Sequence, residues 1–222
     1  MIVQLTQIKR DVRVALDEDR DSATLINADN IDALKMDDII ESKVAEAVDR
    51  VHTAAPYWML EQGHNFNDDT TVGSTDYPYG IHWAEMESGW VLLPDDFLRM
   101  VVFEMSDWER PVYAFITPAD AEYAKQRSRV KAIRGTAQRP VCALVVRPEG
   151  KALEFYSCKS DEATISKAVY IPCAAVESGG VDISERCYTA VVYTVAGLVV
   201  TALGEAERSK VFFEAASTYL NK

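Results

Sequence analysis

LLPDDFLRMVVFEMSDWERPV, residues 92–112, passes from a turn into a strand and out again. Pro94-Asp95-Asp96-Phe97 has turn chemistry, because proline fixes one dihedral and the aspartates bond nearby backbone amides. Leu98 to Met105 is mostly apolar, with Arg99 and Glu104 as exceptions. Val101, Val102 and Phe103 suit a pleated, covered surface, so a strand inside a sheet is expected. Trp108, Arg110 and Pro111 close it, since proline cannot donate to a sheet ladder.

C-terminal to this strand, Thr117-Pro118-Ala119-Asp120 reads as a helix start, with threonine as N-cap and proline at the first helical position, leading to a short helix ending near Gln126. Val141–Val146 and Ala152–Tyr156 read as strands joined through Pro148-Glu149-Gly150-Lys151, a loop of hairpin length. Ala168–Ile171 adds a strand before Pro172, and Gly179-Gly180 interrupts the chain. From Cys187 to Gly204 no residue is charged, a length at the lower limit of about 17–25 residues for a membrane span. Tyr188, Thr189, Tyr193, Thr194 and Thr201 dilute its hydrophobicity and ordered flanking anchors are missing, so a core helix is expected. Gly204 caps it, and Glu205–Leu220 returns as an antiparallel partner.

On the N-terminal side, Leu5, Ile8, Val12, Ala15 and Leu16 recur at helical spacing, and the acidic run Asp17-Glu18-Asp19 ends that helix in solvent. Asp29 caps a short turn through Ile31 and Leu34. Ile40, Val44, Ala47, Val48, Val51 and Ala55 form a second stripe, with Asp37 and Asp38 at the positive end of the helix dipole and Pro56 as the stop. Tyr57–Val91 differs in composition: Gly63, Gly73, Gly80 and Gly89 punctuate it, and Tyr77, Tyr79, Trp83 and Trp90 supply its bulk. Residues 80–83 and 90–92 pair as a hairpin across 85–89, and the excursion is read either as an arm whose aromatics contact a neighbouring subunit or as a loop folded onto its own domain. The expected fold is α+β in a single domain spanning 1–222. N-terminal helices (1–56) and C-terminal helices (181–222) pack together, with a mainly antiparallel sheet in 92–172 and the aromatic excursion in 57–91.

The 222 residues are 48% apolar and 26% charged, as in an ordinary globular protein, with a net charge of −12. That charge disfavours general adhesion to nucleic acid or anionic membrane. Cys142, Cys158, Cys173 and Cys187 have no C-x-x-C spacing and read as reduced, mostly buried thiols; no disulfide and no metal are expected. The N-terminus lacks a secretory pattern, which implies folding in a reducing cytoplasm. His52, His64 and His82 show no ligand spacing, Asp95-Asp96 is explained by the turn, and there is no glycine-rich nucleotide loop, so no catalytic residue or cofactor is assigned. One stretch stands out. Lys125, Arg127, Arg129, Lys131, Arg134 and Arg139 place six positive charges in fifteen residues without an acid. We read it as an exposed, adaptable electrostatic contact for acidic protein surface or, second, for DNA phosphates.

Leu93-Pro94-Asp95-Asp96-Phe97-Leu98-Arg99, the apolar strand, and Ser106-Asp107-Trp108 together resemble the head-to-tail connector (ring or adaptor) proteins of tailed bacteriophages, in particular those of crAss-like phages and related Bacteroides prophages. Ile39-Ile40-Glu41-Ser42-Lys43-Val44, Arg134-Gly135 with Arg139-Pro140-Val141, and Leu153-Glu154-Phe155-Tyr156-Ser157 are similar to the same proteins in the same order. The resemblance implies a non-enzymatic virion component, assembled in the host cytoplasm. Its implied form is a homo-oligomeric, typically dodecameric ring joining the capsid portal to the tail. The implied partners are other copies, the portal protein and other connector or tail proteins, with DNA passing through the channel and no membrane. The residues alone leave two other classes open: a nucleic-acid-binding regulator using the basic stretch, and a small enzyme with an unrecognised site.

Overall fold

A computed structural model describes residues 1–16, 36–60, 63–65, 80–156 and 158–221. In chain order the elements are β1 (Ile2–Gln4), α1 (Leu5–Ala15), α2 (Met36–Ala54), β2 (His64–Asn65), β3 (His82–Ala84), β4 (Ser88–Leu92) and β5 (Phe97–Met105). Then follow α3 (Ala121–Lys125), β6 (Val141–Arg147), β7 (Gly150–Tyr156), β8 (Ile165–Pro172), β9 (Val176–Glu177), β10 (Gly180–Asp182), α4 (Tyr188–Ala202) and α5 (Ala206–Leu220). The fold is α+β. The chain groups into two compact units, residues 1–62 with 173–222, and residues 63–172.

In the first unit the N- and C-terminal helices share one core. Leu5, Ile8 and Val12 of α1, and Ile40, Val44, Ala47, Val48 and Val51 of α2, are buried as their spacing predicts. Asp37 and Asp38 occupy the first turn of α2. Helix α4 contacts α1, α2 and α5 and is apolar nearly all round, as a buried helix must be. Its hydroxyls do not oppose burial, because Thr194 Oγ1 and Thr201 Oγ1 donate to the carbonyls of Ala190 and Gly197 at 2.8 and 2.7 Å. Gly197 lets α5 approach: a Cβ there would lie 2.8 Å from the Phe213 ring. Gly204 (φ 87°) turns the chain into α5. Among the described residues no helix is long and apolar enough to cross a membrane.

A small antiparallel sheet of order β1-β10-β9 completes this unit. Gly179-Gly180, expected only to interrupt the chain, belongs to its hairpin. Ser178 (φ 51°) and Gly179 (φ 76°) form a two-residue turn with positive dihedrals, the geometry that matches strand twist. A 3-10 turn, Tyr57–Met59, follows Pro56 and is held by Ser184 Oγ donating to the Met59 carbonyl.

The second unit contains two antiparallel sheets, β2-β8-β5 and β3-β4-β7-β6; most of their buried residues form one core, and Ala143, Val145 and Ala152 form a smaller cluster of their own. Phe103 of β5 lies 6.0 Å from Phe155 of β7 and 5.9 Å from Trp108, and Trp83 meets Phe155 edge-on at 5.5 Å. The strand expected inside a sheet is instead the last of its three. Beyond β8, its ladder is met only by the isolated Phe103–Val112 bridge among the described residues. Its apolar run reflects cover on its faces, supplied by the aromatic layer, and not a neighbour on each edge. The preceding turn forms, with Phe97 N donating to the Pro94 carbonyl at 3.0 Å, but the Asp96 carboxylate, expected to accept from nearby backbone amides, accepts instead from Tyr170 OH.

Two expected hairpins are present. β3 and β4 pair with His82 opposite Trp90, and β6 and β7 pair from Val141–Tyr156 to Arg147–Gly150. The helix expected from Thr117 starts later, at Ala121. Asp120 accepts from Thr117 N (2.6 Å) and Oγ1 (2.8 Å), so Thr-Pro-Ala-Asp closes as a turn and Asp120 takes the N-cap position. Those two bonds, the backbone one first, lower the Asp120 pKa.

Candidate interaction surface

The basic stretch lies on the second unit, and two buried polar side chains fix its path. Gln126, 3% exposed, ends α3. Its Nε2 donates to the Glu122 carbonyl at 3.1 Å and its Oε1 accepts from the buried Gly135 N–H at 2.8 Å, closing 127–134 into a loop. Arg134 is buried and points inward, with Nη1 donating to the Met86 carbonyl at 3.2 Å and Nη2 3.6 Å from the Glu87 carboxylate. Met86 (φ 63°) and Glu87 (φ 50°) form the β3–β4 turn in the left-handed region, which side chains disfavour. Arg134 and the Cys158 N–H, which donates to the Glu87 carbonyl at 2.8 Å, hold that turn.

The six basic residues therefore divide. Arg134 is structural and Lys125 pairs with Glu122 within α3, whereas Arg127, Arg129, Lys131 and Arg139 are exposed. Arg127 lies over the Tyr123 ring at 5.7 Å. Between the exposed cations, Val130 and Ile133 are 55% and 50% exposed. The loop thus presents guanidinium and ammonium groups interleaved with apolar tips, and turn bonds from Ser128 N to Lys125 O and from Ile133 N to Val130 O, each 3.0 Å, keep it compact. Gly135 is enclosed by Val141 and the Arg139 carbonyl.

The aromatic residues read as an arm also divide. Tyr77 and Tyr79 lie outside the described residues. Trp83 packs on Phe155 within its own unit. Trp90 lies on the opposite face of the β3-β4-β7-β6 sheet, stacked at 3.9 Å with His82 and 4.4 Å from the Arg147 guanidinium. Arg147 is held by Glu154 at 2.5 Å, and the same carboxylate accepts from Tyr123 OH (2.9 Å) and Tyr156 OH (2.6 Å). Burial, and next the bond to Glu154, push the Tyr156 phenol upward, so it remains a neutral donor. Through the Tyr123–Glu154 bond this cluster ties α3, and hence the start of the basic loop, to β7.

On the first unit, sequence reading missed Trp58. It is 58% exposed, yet its backbone carbonyl accepts from Arg186 at 3.1 Å and the same guanidinium lies 5.8 Å from its ring. An exposed tryptophan on a tethered turn with an arginine beside it has the composition of an interface anchor. Its signal was Tyr57-Trp58 directly after the helix-stopping Pro56.

No protein-family model matches this sequence, and no curated protein matches it. Among the described residues no group of three or more histidine, cysteine, aspartate or glutamate side chains is placed to hold a metal ion. Cys142, Cys158 and Cys187 are buried and Cys173 is partly exposed.

Proposed function

We propose that this chain is a non-enzymatic structural component of a tailed-phage virion, assembling with copies of itself into a ring that joins the capsid portal to the tail. The place in the virion rests on the resemblance carried by Leu93–Arg99, Ser106–Trp108 and the later motifs. Those residues have fold-building roles: Asp96 binds Tyr170, Asp107 accepts from the Lys159 and Ser160 N–H groups, and Trp108 is in the core.

The observation that carries the assembly reading is the exposed basic loop, whose backbone path is set by Gln126 and by turn bonds. A loop that presents Arg127, Arg129, Lys131, Val130 and Ile133 from a hydrogen-bonded backbone is suited to docking, since less backbone freedom is lost when a partner binds. On a chain of net charge −12, such a patch also lets like-charged copies approach and fixes their register. The partners in this reading are other copies, twelve by the resemblance, then the portal and neighbouring connector or tail proteins. The site of assembly is the host cytoplasm and the destination is the virion. The test is to mix the purified chain with a portal and image the product: a symmetric ring of this chain on the portal is expected. A chain that stays monomeric and leaves the portal bare overturns the reading.

A further inference from the structure

Charge is distributed unevenly along this chain. Residues 63–172 contain 12 basic residues, of which six lie between Lys125 and Arg139; the other unit, 1–62 with 173–222, contains 19 acidic residues against 11 basic. A copy that must meet another copy therefore has one concentrated cationic surface and a predominantly acidic unit to meet it with. Complementarity here needs more than charge, because the loop also exposes Val130 and Ile133. Phosphates offer those two side chains nothing, whereas a protein surface with apolar and acidic groups satisfies both.

Helix α5 carries such a surface. Glu207, Val211, Glu214 and Thr218 fall at intervals of four, three and four, which places them on one helix face, and all four are exposed. Val211 is 63% exposed and the Glu207 side chain 89%. The opposite face, with Ser209, Phe212, Ala216 and Leu220, is buried in the core, so the acidic face is held on a rigid element. Lys210 touches Glu207 at 2.8 Å, a single exposed contact that an arginine fork can replace with two bonds.

We infer that the basic loop of one copy (Arg127, Arg129, Lys131, with Val130 and Ile133) docks on the Glu207–Val211–Glu214 face of α5 in a second copy. Loop and helix face are different surfaces of the same chain, so the contact is head-to-tail. Such contacts propagate from copy to copy and give a ring when the rotation closes. The inference rests on the ring reading above and names the two surfaces that meet.

The experiment is sedimentation velocity across a concentration series, on the full chain. The reversal Arg127→Glu/Arg129→Glu/Lys131→Glu and the reversal Glu207→Lys/Glu214→Lys should each weaken self-association at least ~10-fold, and combining them should restore most of it. Both sets are exposed, and circular dichroism checks that each variant is folded. If a reversal unfolds, Val130→Ser/Ile133→Ser and Val211→Ser serve in its place, and each should weaken association. A wild-type chain that never associates overturns the ring reading and this inference together. Normal association with weakening in neither reversal overturns the inference alone. Weakening by the loop reversal without rescue by the α5 reversal overturns the α5 assignment. Loss of binding to a short DNA duplex, with self-association intact, assigns the loop to phosphates and likewise overturns it.

Discussion

Replacing Gln126 with methionine tests whether the basic loop is built or merely exposed. Methionine keeps the length and flexibility of the side chain and removes its polar atoms. The buried Gly135 N–H then loses its 2.8 Å acceptor, and an orphaned buried donor costs about 1–3 kcal/mol. The bond from Nε2 to the Glu122 carbonyl contributes about 0.5–1.5 kcal/mol more. Apolar burial of the methionine returns about 1 kcal/mol. The net loss is about 2 kcal/mol, which in a protein of 222 residues lowers the melting temperature by roughly 4–8 °C. The assay is thermal melting combined with limited trypsin digestion, since Arg127, Arg129 and Lys131 are exposed cleavage points whose susceptibility reports the loop. Melting should fall and cleavage after these residues should accelerate. Gln126→Glu retains an acceptor for Gly135 but buries a carboxylate against the Glu122 carbonyl, and should lose at least as much. Unchanged melting and unchanged cleavage in Gln126→Met would refute the argument that Gln126 holds the loop.

Other predictions concern the rest of the structure. Thiol labelling of the native chain should modify Cys173 well before Cys142, Cys158 and Cys187, and simultaneous labelling of all four would contradict their burial. Burial, then the Asp107 charge, push the Cys158 thiol up to about 12 from 9.0; its contribution to stability is complete below pH 9 and is lost as pH rises toward 12. Melting temperature should therefore fall over that window and fall less in Cys158→Ala. Gly197→Val should destabilise by about 1–3 kcal/mol, because its Cβ would lie 2.8 Å from the Phe213 ring and the helix pair must open, as a denaturant titration will measure. Glu154→Gln removes the charge that holds Arg147 over Trp90 and should change tryptophan emission while costing about 1–3 kcal/mol; an identical spectrum would count against that stack.

The helices were legible because burial writes a period into the sequence. The stripes of α1 and α2 and the uncharged run of α4 are direct consequences of facing one core on one side or on nearly all sides. The β3–β4 and β6–β7 hairpins were legible through their turns. β1, β9 and β10 were not, since strands of two or three residues are too short to show alternation. The position of β5 was misread because cover on a strand's faces and a neighbour on each edge produce the same apolar run.

At the surface, composition located the basic stretch but could not sort it. Arg134 and Arg129 look alike in sequence, and only the position of the Met86 carbonyl and Glu87 makes one a buried clamp. Gln126 gave no signal either, because its partner is a backbone amide nine residues away. Trp83 and Trp90 were visible as large aromatics, but which rings they meet depends on strand register, which fixes Trp90 opposite His82 and Glu154.

The most direct test of the central claim is cryo-electron microscopy of the purified chain mixed with a phage portal, or of intact virions containing it, read for density of this fold between portal and tail. A closed ring of identical copies, in which each copy meets the next through residues 125–139, is expected. Virions or mixtures in which the fold is absent from the connector, or in which the chain remains monomeric beside a bare portal, would contradict it.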